Sequence, residues 1–273
     1  RRDSASPVPG LIPIGRMPVA FRTDWVHNSN DSFVYTHPGQ KFEGISPLVG
    51  DASLTRPRTR AGLAEIPEML GRGKVTLQAI QGQLFENRNF MAQVVVPDLL
   101  AACDKAPTAE SRDGCAALKG WDRRSNVDAR GAHVFREFWR TARNIPGVHR
   151  VPFDPAQPVA TPAGLKMEDA ATAAKVWEAL DGAVKAIRTS GYTLDATLGS
   201  VQRPAITEEA IALHGGEEFE GVLNNLGRQE PAPINKAGLR IDYGTSYVQT
   251  VTFDAKGPAV SYTHLTLPTN REV

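Results

Sequence analysis

The residues best suited to chemistry lie in a short polar stretch, Val26-His27-Asn28-Ser29-Asn30-Asp31-Ser32. Amides, hydroxyls and a carboxylate follow one another there, directly after the apolar pair Trp25-Val26. Short polar side chains of this kind bond back to the main chain, so the stretch predicts a turn or loop. A loop so rich in Asn and Ser can also hold an amide N–H fixed toward a ligand.

Three arginines, Arg56, Arg58 and Arg60, alternate around Pro57. In an extended segment they would point to the same side and could pair with a carboxylate or a ligand. Spacing alone favours the alternative, a solvated basic face.

Paired acids occur at Glu208-Glu209 and Glu217-Glu218. Acid–base catalysis is one interpretation, but adjacent acids on turns are usually solvated, and we favour that reading. His214-Gly215-Gly216 suggests a phosphate-binding turn. The acids that follow it would repel a phosphate, so we expect a structural glycine turn.

Other catalytic motifs are missing from the sequence. The six histidines show no HxH, HExxH or Cys/His spacing, and there is no GxSxG and no P-loop. We therefore predict no metal site and no cofactor.

The composition is that of an ordinary globular protein, 41% hydrophobic and 22% charged, with a formal net charge of +1. No block of basic residues stands out, so we expect neither a nucleic-acid partner nor an anionic membrane partner. No apolar run approaches the roughly 20 residues that would span a bilayer.

Two cysteines, Cys103 and Cys115, are the only thiols of the sequence. They flank a polar, turn-like segment that would let them meet. A disulfide in an oxidising compartment and two buried free thiols are both compatible with this spacing.

The elements that must position these residues fall into a helical middle followed by strands. Pro-rich connectors are expected at 1–22 and 145–166, and helical periodicity predicts helices at 61–72, within 75–144, and at 167–189. Strands are predicted at 33–36, 196–199, 210–213, 239–243 and 246–253. The order indicates an α+β fold whose sheet is completed late in the chain.

The final residues, 260–273, break from the pattern before them. Read back into codons, Val260 to Thr269 resembles the end of a transposase adapter used in DNA sequencing. We therefore expect coding sequence to end near Ala259, with 260–273 an adapter artefact. The alternative is a genuine strand that ends at Pro268.

Several stretches, taken in order, resemble the large, nucleophile-bearing chain of the penicillin acylase family of N-terminal nucleophile hydrolases. The nearest branch is that of the acyl-homoserine lactone and aculeacin-type acylases. The stretches are 24–32 with 46–49, Arg56-Pro57-Arg58, 96–100 with 115–118 and Trp121-Asp122-Arg123, 214–216 with Gly221-Val222, and 244–253.

This resemblance implies a four-layer αββα sandwich, cut from a precursor into two chains. It implies a serine nucleophile at the large chain's N-terminus, with the terminal amine as its base and an acyl-enzyme intermediate. A backbone N–H and an Asn side chain would hold the oxyanion. That Asn matches Asn30, and Arg58 matches the Arg that holds the Asn and the amine. Arg56 and Arg60 stay solvated in this interpretation.

The family is exported to the periplasm or secreted, which favours the Cys103–Cys115 disulfide. No serine lies at the processing junction, because Ser4, Ser6 and Ser29 stand in the wrong context. We therefore expect residues 1–259 to be the C-terminal part of the large chain, truncated at both ends and inactive alone. Its expected partners are the small chain and the missing N-terminal part of the large chain.

The resemblance predicts an amide hydrolase that removes the acyl chain from N-acyl homoserine lactones or related acyl amides. A penicillin- or cephalosporin-type acylase is the closest alternative. A non-catalytic binding module on the same scaffold is the alternative from another class.

Overall fold

A helical body followed by short paired strands makes up the fold, seen in a computed structural model that describes residues 3–49, 55–229 and 232–262. The helices are α1 (Pro57–Gly71), α2 (Leu77–Phe85), α3 (Phe90–Ala101), α4 (Ala109–Lys119), α5 (Ala132–Ala142), α6 (Ala170–Thr189) and α7 (Leu198–Val201). The strands are β1 (Gln202–Pro204), β2 (Leu226–Gly227), β3 (Leu239–Ile241), β4 (Tyr243–Gly244), β5 (Gln249–Asp254) and β6 (Gly257–Tyr262).

Polar side chains fix where the main helices begin. Asn89 accepts a hydrogen bond from the N–H of Ala92 at the start of α3, at 3.0 Å. Asp169 does the same for Thr172 at the start of α6, at 2.8 Å. Each cap satisfies a backbone donor that has no partner within its own helix, so these residues set the helix boundaries.

The core lies where α3, α4, α5 and α6 pack together. Phe135 and Phe138 of α5 and Leu180 of α6 are fully buried in it. Gly114 of α4 lets that helix approach α6 closely, since a Cβ there would lie 2.8 Å from the Leu180 side chain.

Cys103 and Cys115 form a disulfide, with their Cα atoms 6.0 Å apart. It joins the short 3-10 turn after α3 to the middle of α4. Of the two alternatives left open by the spacing, the structure contains the disulfide.

The described strands pair two by two. β1 and β3 are parallel, β2 and β4 are antiparallel, and β5 and β6 form an antiparallel hairpin. The late position of the strands agrees with the sequence, and the α+β class is confirmed. The four-layer sandwich stays a prediction.

Three predicted strands are wrong. Residues 33–35 form a 3-10 turn, 198–201 form the helical turn α7, and 210–213 carry no strand. Short β-prone runs do not decide a strand by themselves, because a strand also needs a neighbour to bond to.

Residues 260–262 lie in β6, paired with β5, whereas 263–273 lie outside the described residues. The proposed end of native sequence near Ala259 therefore stays a prediction. Among the described helices, none has both the length and the apolarity to cross a bilayer.

Candidate functional site

The polar stretch at 26–32 forms a loop held by its own side chains. The Asn28 side-chain oxygen accepts a hydrogen bond from the N–H of Asn30, at 2.9 Å. Asn30 has a φ of 64°, in the left-handed region that Asn tolerates better than most residues. The turn leaves the Asn30 side chain exposed at the surface of the chain.

Arg58 meets Asn30 from the first turn of α1. Its Nη2 donates a hydrogen bond to the Asn30 side-chain oxygen, at 2.8 Å. A guanidinium has donors only, so the amide must turn its oxygen toward Arg58 and its nitrogen away. The two residues predicted to share a site are therefore in contact, and the Asn30 amide nitrogen is turned away from Arg58.

Glu218, a carboxylate that the sequence analysis expected to be solvated, completes this contact. Glu218 Oε2 accepts from Arg58 Nε at 3.1 Å and lies 3.0 Å from Arg58 Nη2. The Arg58 side chain is only 14% exposed, so it is fixed between Asn30 and Glu218. Planar guanidinium geometry suits such a double contact.

The loop is tied to α1 at two further points. Asp31 accepts a hydrogen bond from the backbone N–H of Arg56, at 2.9 Å, just before the helix begins. His27 packs on α1 at Gly62, where any Cβ would overlap the imidazole ring. Burial, and then the nearby Arg58 charge, lower the pKa of His27, so the neutral ring is favoured.

Glu220 anchors the turn that carries Glu218. Its buried carboxylate accepts from Arg136 Nε at 2.7 Å, from Asn89 Nδ2 at 2.9 Å and from the Glu217 N–H at 2.7 Å. Arg136 is itself fully buried in α5. The helical core thereby sets the position of Glu218 through three charge-assisted hydrogen bonds.

Gly221 brings the same turn against the start of α1. Its φ is 72°, and a Cβ there would lie 3.0 Å from the Pro57 carbonyl oxygen and 2.9 Å from the Phe90 Cβ. Only a glycine combines this backbone conformation with such a close approach. The approach is what lets Glu218 reach Arg58.

Two sequence interpretations are corrected here. Glu217 was expected to be solvated, but it is 4% exposed, and the neighbouring Glu220 is 0% exposed. Arg60 was expected to be solvated, but it is buried and donates to the carbonyls of Val159 and Pro162 at 2.9 Å each. Burial lowers the pKa of Arg60 to about 10. Arg56 is exposed, as expected.

A usable signal for the buried acids was present in the sequence. Glycines at 215, 216 and 221 bracket them, the apolar Phe219 lies among them, and the apolar Val222 follows. Glycines that permit close packing, together with apolar neighbours, argue against a solvated turn.

Within the described ranges, no group of three or more His, Cys, Asp or Glu residues could hold a metal ion.

Comparison with known proteins identifies the family of this chain. The penicillin amidase family model matches residues 2–268. An acyl-homoserine lactone acylase PvdQ from Pseudomonas syringae pv. syringae (strain B728a) is 33% identical over 255 residues, covering 91% of this chain and 32% of that protein. The aculeacin-A acylase of Actinoplanes utahensis is 32% identical over 273 residues, covering 94% of this chain and 33% of that protein.

The chain thus spans about a third of the length of the curated relatives it matches. The family resemblance read from the sequence motifs is confirmed. The roles of Asn30 and Arg58 stay predictions, which their contact supports. This chain belongs to the penicillin amidase family.

Proposed function

We propose that this chain is part of the large chain of an acylase that hydrolyses N-acyl amides, with N-acyl homoserine lactones as the favoured substrate class. The substrate class follows the names of the relatives. The observation that carries the proposal is the hydrogen bond from Arg58 Nη2 to the Asn30 side-chain oxygen, because it points the amide nitrogen outward.

In the proposed reaction a serine from outside residues 1–259 attacks the substrate carbonyl. The acyl–O bond forms, the carbonyl oxygen becomes an oxyanion, and the serine proton passes to the terminal amine. Asn30 Nδ2 donates a hydrogen bond to that oxyanion. The acyl–nitrogen bond of the substrate then breaks, and its nitrogen takes the proton from the terminal amine and leaves. Water hydrolyses the acyl-enzyme ester to the free acid, which restores the serine hydroxyl.

Arg58 acts on this step through Asn30. The guanidinium bonds the amide oxygen at 2.8 Å, which holds the donor in place before the oxyanion forms. A chain of hydrogen bonds also polarises its members, so the Asn30 N–H becomes a stronger donor. Glu218 keeps Arg58 from turning away.

The proposed assembly includes the small chain and the rest of the large chain from the same precursor. Residues 1–259 would be the C-terminal part of that large chain. The Cys103–Cys115 disulfide supports a periplasmic or secreted location, since disulfides persist in oxidising compartments.

Hydrolysis by the full-length precursor tests the proposal. After maturation it should release decanoic acid from N-decanoyl homoserine lactone faster than phenylacetic acid from benzylpenicillin, measured by liquid chromatography. Residues 1–259 alone should release neither, because the nucleophile lies elsewhere. Preference for benzylpenicillin would favour the penicillin-type alternative, and no turnover of any acyl amide would favour a binding module.

Arg58→Lys in the full-length enzyme should lower kcat by about ten- to a hundredfold and leave KM nearly unchanged. A lysine is a point donor and cannot hold both Asn30 and Glu218, so one charged hydrogen bond is lost. A contact felt mainly in the transition state changes kcat rather than KM. Arg56→Lys, at an exposed neighbour, is the matched control. A rise in KM with unchanged kcat would contradict the role given to Arg58.

A further inference from the structure

The loop at 26–32 contains a histidine and a serine that the proposed reaction does not use. The Ser29 hydroxyl lies 2.9 Å from Nε2 of His27, within hydrogen-bond distance. Ser29 is only 6% exposed, although the asparagines on either side of it are exposed. The serine side chain therefore lies on the inner side of the turn that presents Asn30, bonded to the imidazole ring.

His27 is itself held in place from two sides. Its backbone N–H donates a hydrogen bond to the carbonyl oxygen of Thr36, at 2.9 Å. Its ring lies on α1 at Gly62, the position where a side chain would overlap it. The ring therefore offers Ser29 a hydrogen-bond partner whose position is set by a helix and not by the loop alone.

The His27 ring fills this position in its neutral form. A charged imidazole carries an N–H on both nitrogens. Nδ1 of His27 is buried without a hydrogen-bond partner among the described residues, so a proton there would be an unpaired buried donor. Burial and then the Arg58 charge lower the pKa of His27, and the Asp31 charge opposes them. At neutral pH the ring adds no positive charge that would repel Arg58, the cation that holds the Asn30 amide.

We propose that His27 is a positioning residue for the oxyanion donor: its neutral ring holds the Ser29 hydroxyl and thereby fixes the backbone turn that presents Asn30. The inference rests on the proposed function, in which Asn30 Nδ2 donates to the oxyanion. Arg58 then orients the Asn30 amide group, while His27 fixes the backbone that carries it. Both constraints matter because Asn30 has a φ of 64°, a conformation that is unfavourable for a residue with a side chain.

A matched pair of substitutions in the full-length enzyme tests the hydrogen bond. Leucine and glutamine are similar in size, but only the glutamine amide can bond the Ser29 hydroxyl. His27→Leu should lower kcat about tenfold with KM nearly unchanged, since an oxyanion donor acts mainly in the transition state. His27→Gln should keep kcat within about twofold of the wild type. His214→Leu, at an exposed histidine outside the loop, is the control and should keep wild-type kcat and KM.

A second comparison shows whether His27 acts through Asn30. In the Asn30→Gly variant there is no amide left to position, so adding His27→Leu should change kcat by less than about twofold. Equal losses from His27→Leu in the wild type and in Asn30→Gly would overturn the proposal. A loss in His27→Gln as large as that in His27→Leu would overturn it as well.

Hydrogen exchange of the full-length protein, followed by mass spectrometry over residues 26–32, gives a measurement that needs no turnover. The backbone N–H of Asn30, bonded to Asn28, should exchange about tenfold faster in His27→Leu and at nearly the wild-type rate in His27→Gln. Unchanged exchange in His27→Leu would contradict the positioning role. Faster exchange in His27→Leu, with no amide hydrolysis even by the wild type, would be a failure of the proposed function alone, because the loop would still depend on His27.

Discussion

Replacing Asn30 by glycine in the full-length enzyme should lower kcat for acyl amide hydrolysis by about a hundred- to a thousandfold. That is the usual cost of losing one side-chain donor to an oxyanion. Asn30 is exposed in this chain, so folding and precursor maturation should stay largely intact. Steady-state kinetics on the purified, matured enzyme give the value, and gel electrophoresis checks processing.

Glycine is a better replacement than alanine because it adopts the backbone conformation of Asn30 without strain. Asn30 has a φ of 64°, which costs an alanine about 1 kcal/mol or more. Asn30→Ala should therefore show the same fall in kcat together with a small loss of stability. Comparing the two variants separates the effect of losing the amide on kcat from the effect of backbone strain on stability.

An isosteric change gives the sharpest form of this experiment. Asn30→Asp keeps the shape and can still accept from Arg58, but it replaces the amide nitrogen by a carboxylate oxygen. It should lose at least as much activity as Asn30→Gly, because the new charge repels the oxyanion. Asn235→Gly, at an exposed loop asparagine outside the site, should keep wild-type kcat. Turnover near wild type in Asn30→Asp would refute the oxyanion role.

The contact between Asn30 and Arg58 shows what the sequence could predict. Neither the polar loop nor the alternating arginines identified a reaction on their own, and spacing favoured a solvated basic face. The order of several motifs predicted that residues 28 positions apart share a site, and their atoms meet at 2.8 Å. Long-range contacts of this kind follow from the fold, which local patterns do not encode.

The contact of Glu218 with Arg58 and the burial of Glu217 and Glu220 were not predicted, for a physical reason. Charged residues are rarely buried unless they are paired, so a run of acids reads as solvated. The partner of Glu220 is Arg136, 84 positions away on α5, the helix that also carries the buried Phe135 and Phe138. The strand predicted at 210–213 was wrong for a similar reason. A strand needs hydrogen bonds to a neighbouring strand, and that neighbour can lie far away in the sequence.

Arg136→Met should destabilise the protein by about 3–5 kcal/mol. Both side chains of the Arg136–Glu220 pair are 0% exposed, with Nε and Oε2 2.7 Å apart. Methionine fills similar volume but leaves the Glu220 carboxylate buried without its cation, which is the costly case for a buried ion pair. Urea-induced unfolding of the full-length protein, followed by circular dichroism, measures the change.

Two comparisons decide whether burial causes the loss. Arg188 and Asp113 form an ion pair at a similar distance, 2.6 Å, but their side chains are 49% and 48% exposed. Arg188→Met should cost less than about 1 kcal/mol, because water screens that pair. Adding Glu220→Gln to Arg136→Met should recover part of the loss, since the uncompensated charge is gone. Equal losses of unfolding free energy for Arg136→Met and Arg188→Met, or no recovery in the double variant, would contradict this. Packing rather than the buried charge would then hold the turn at 217–221 against α1.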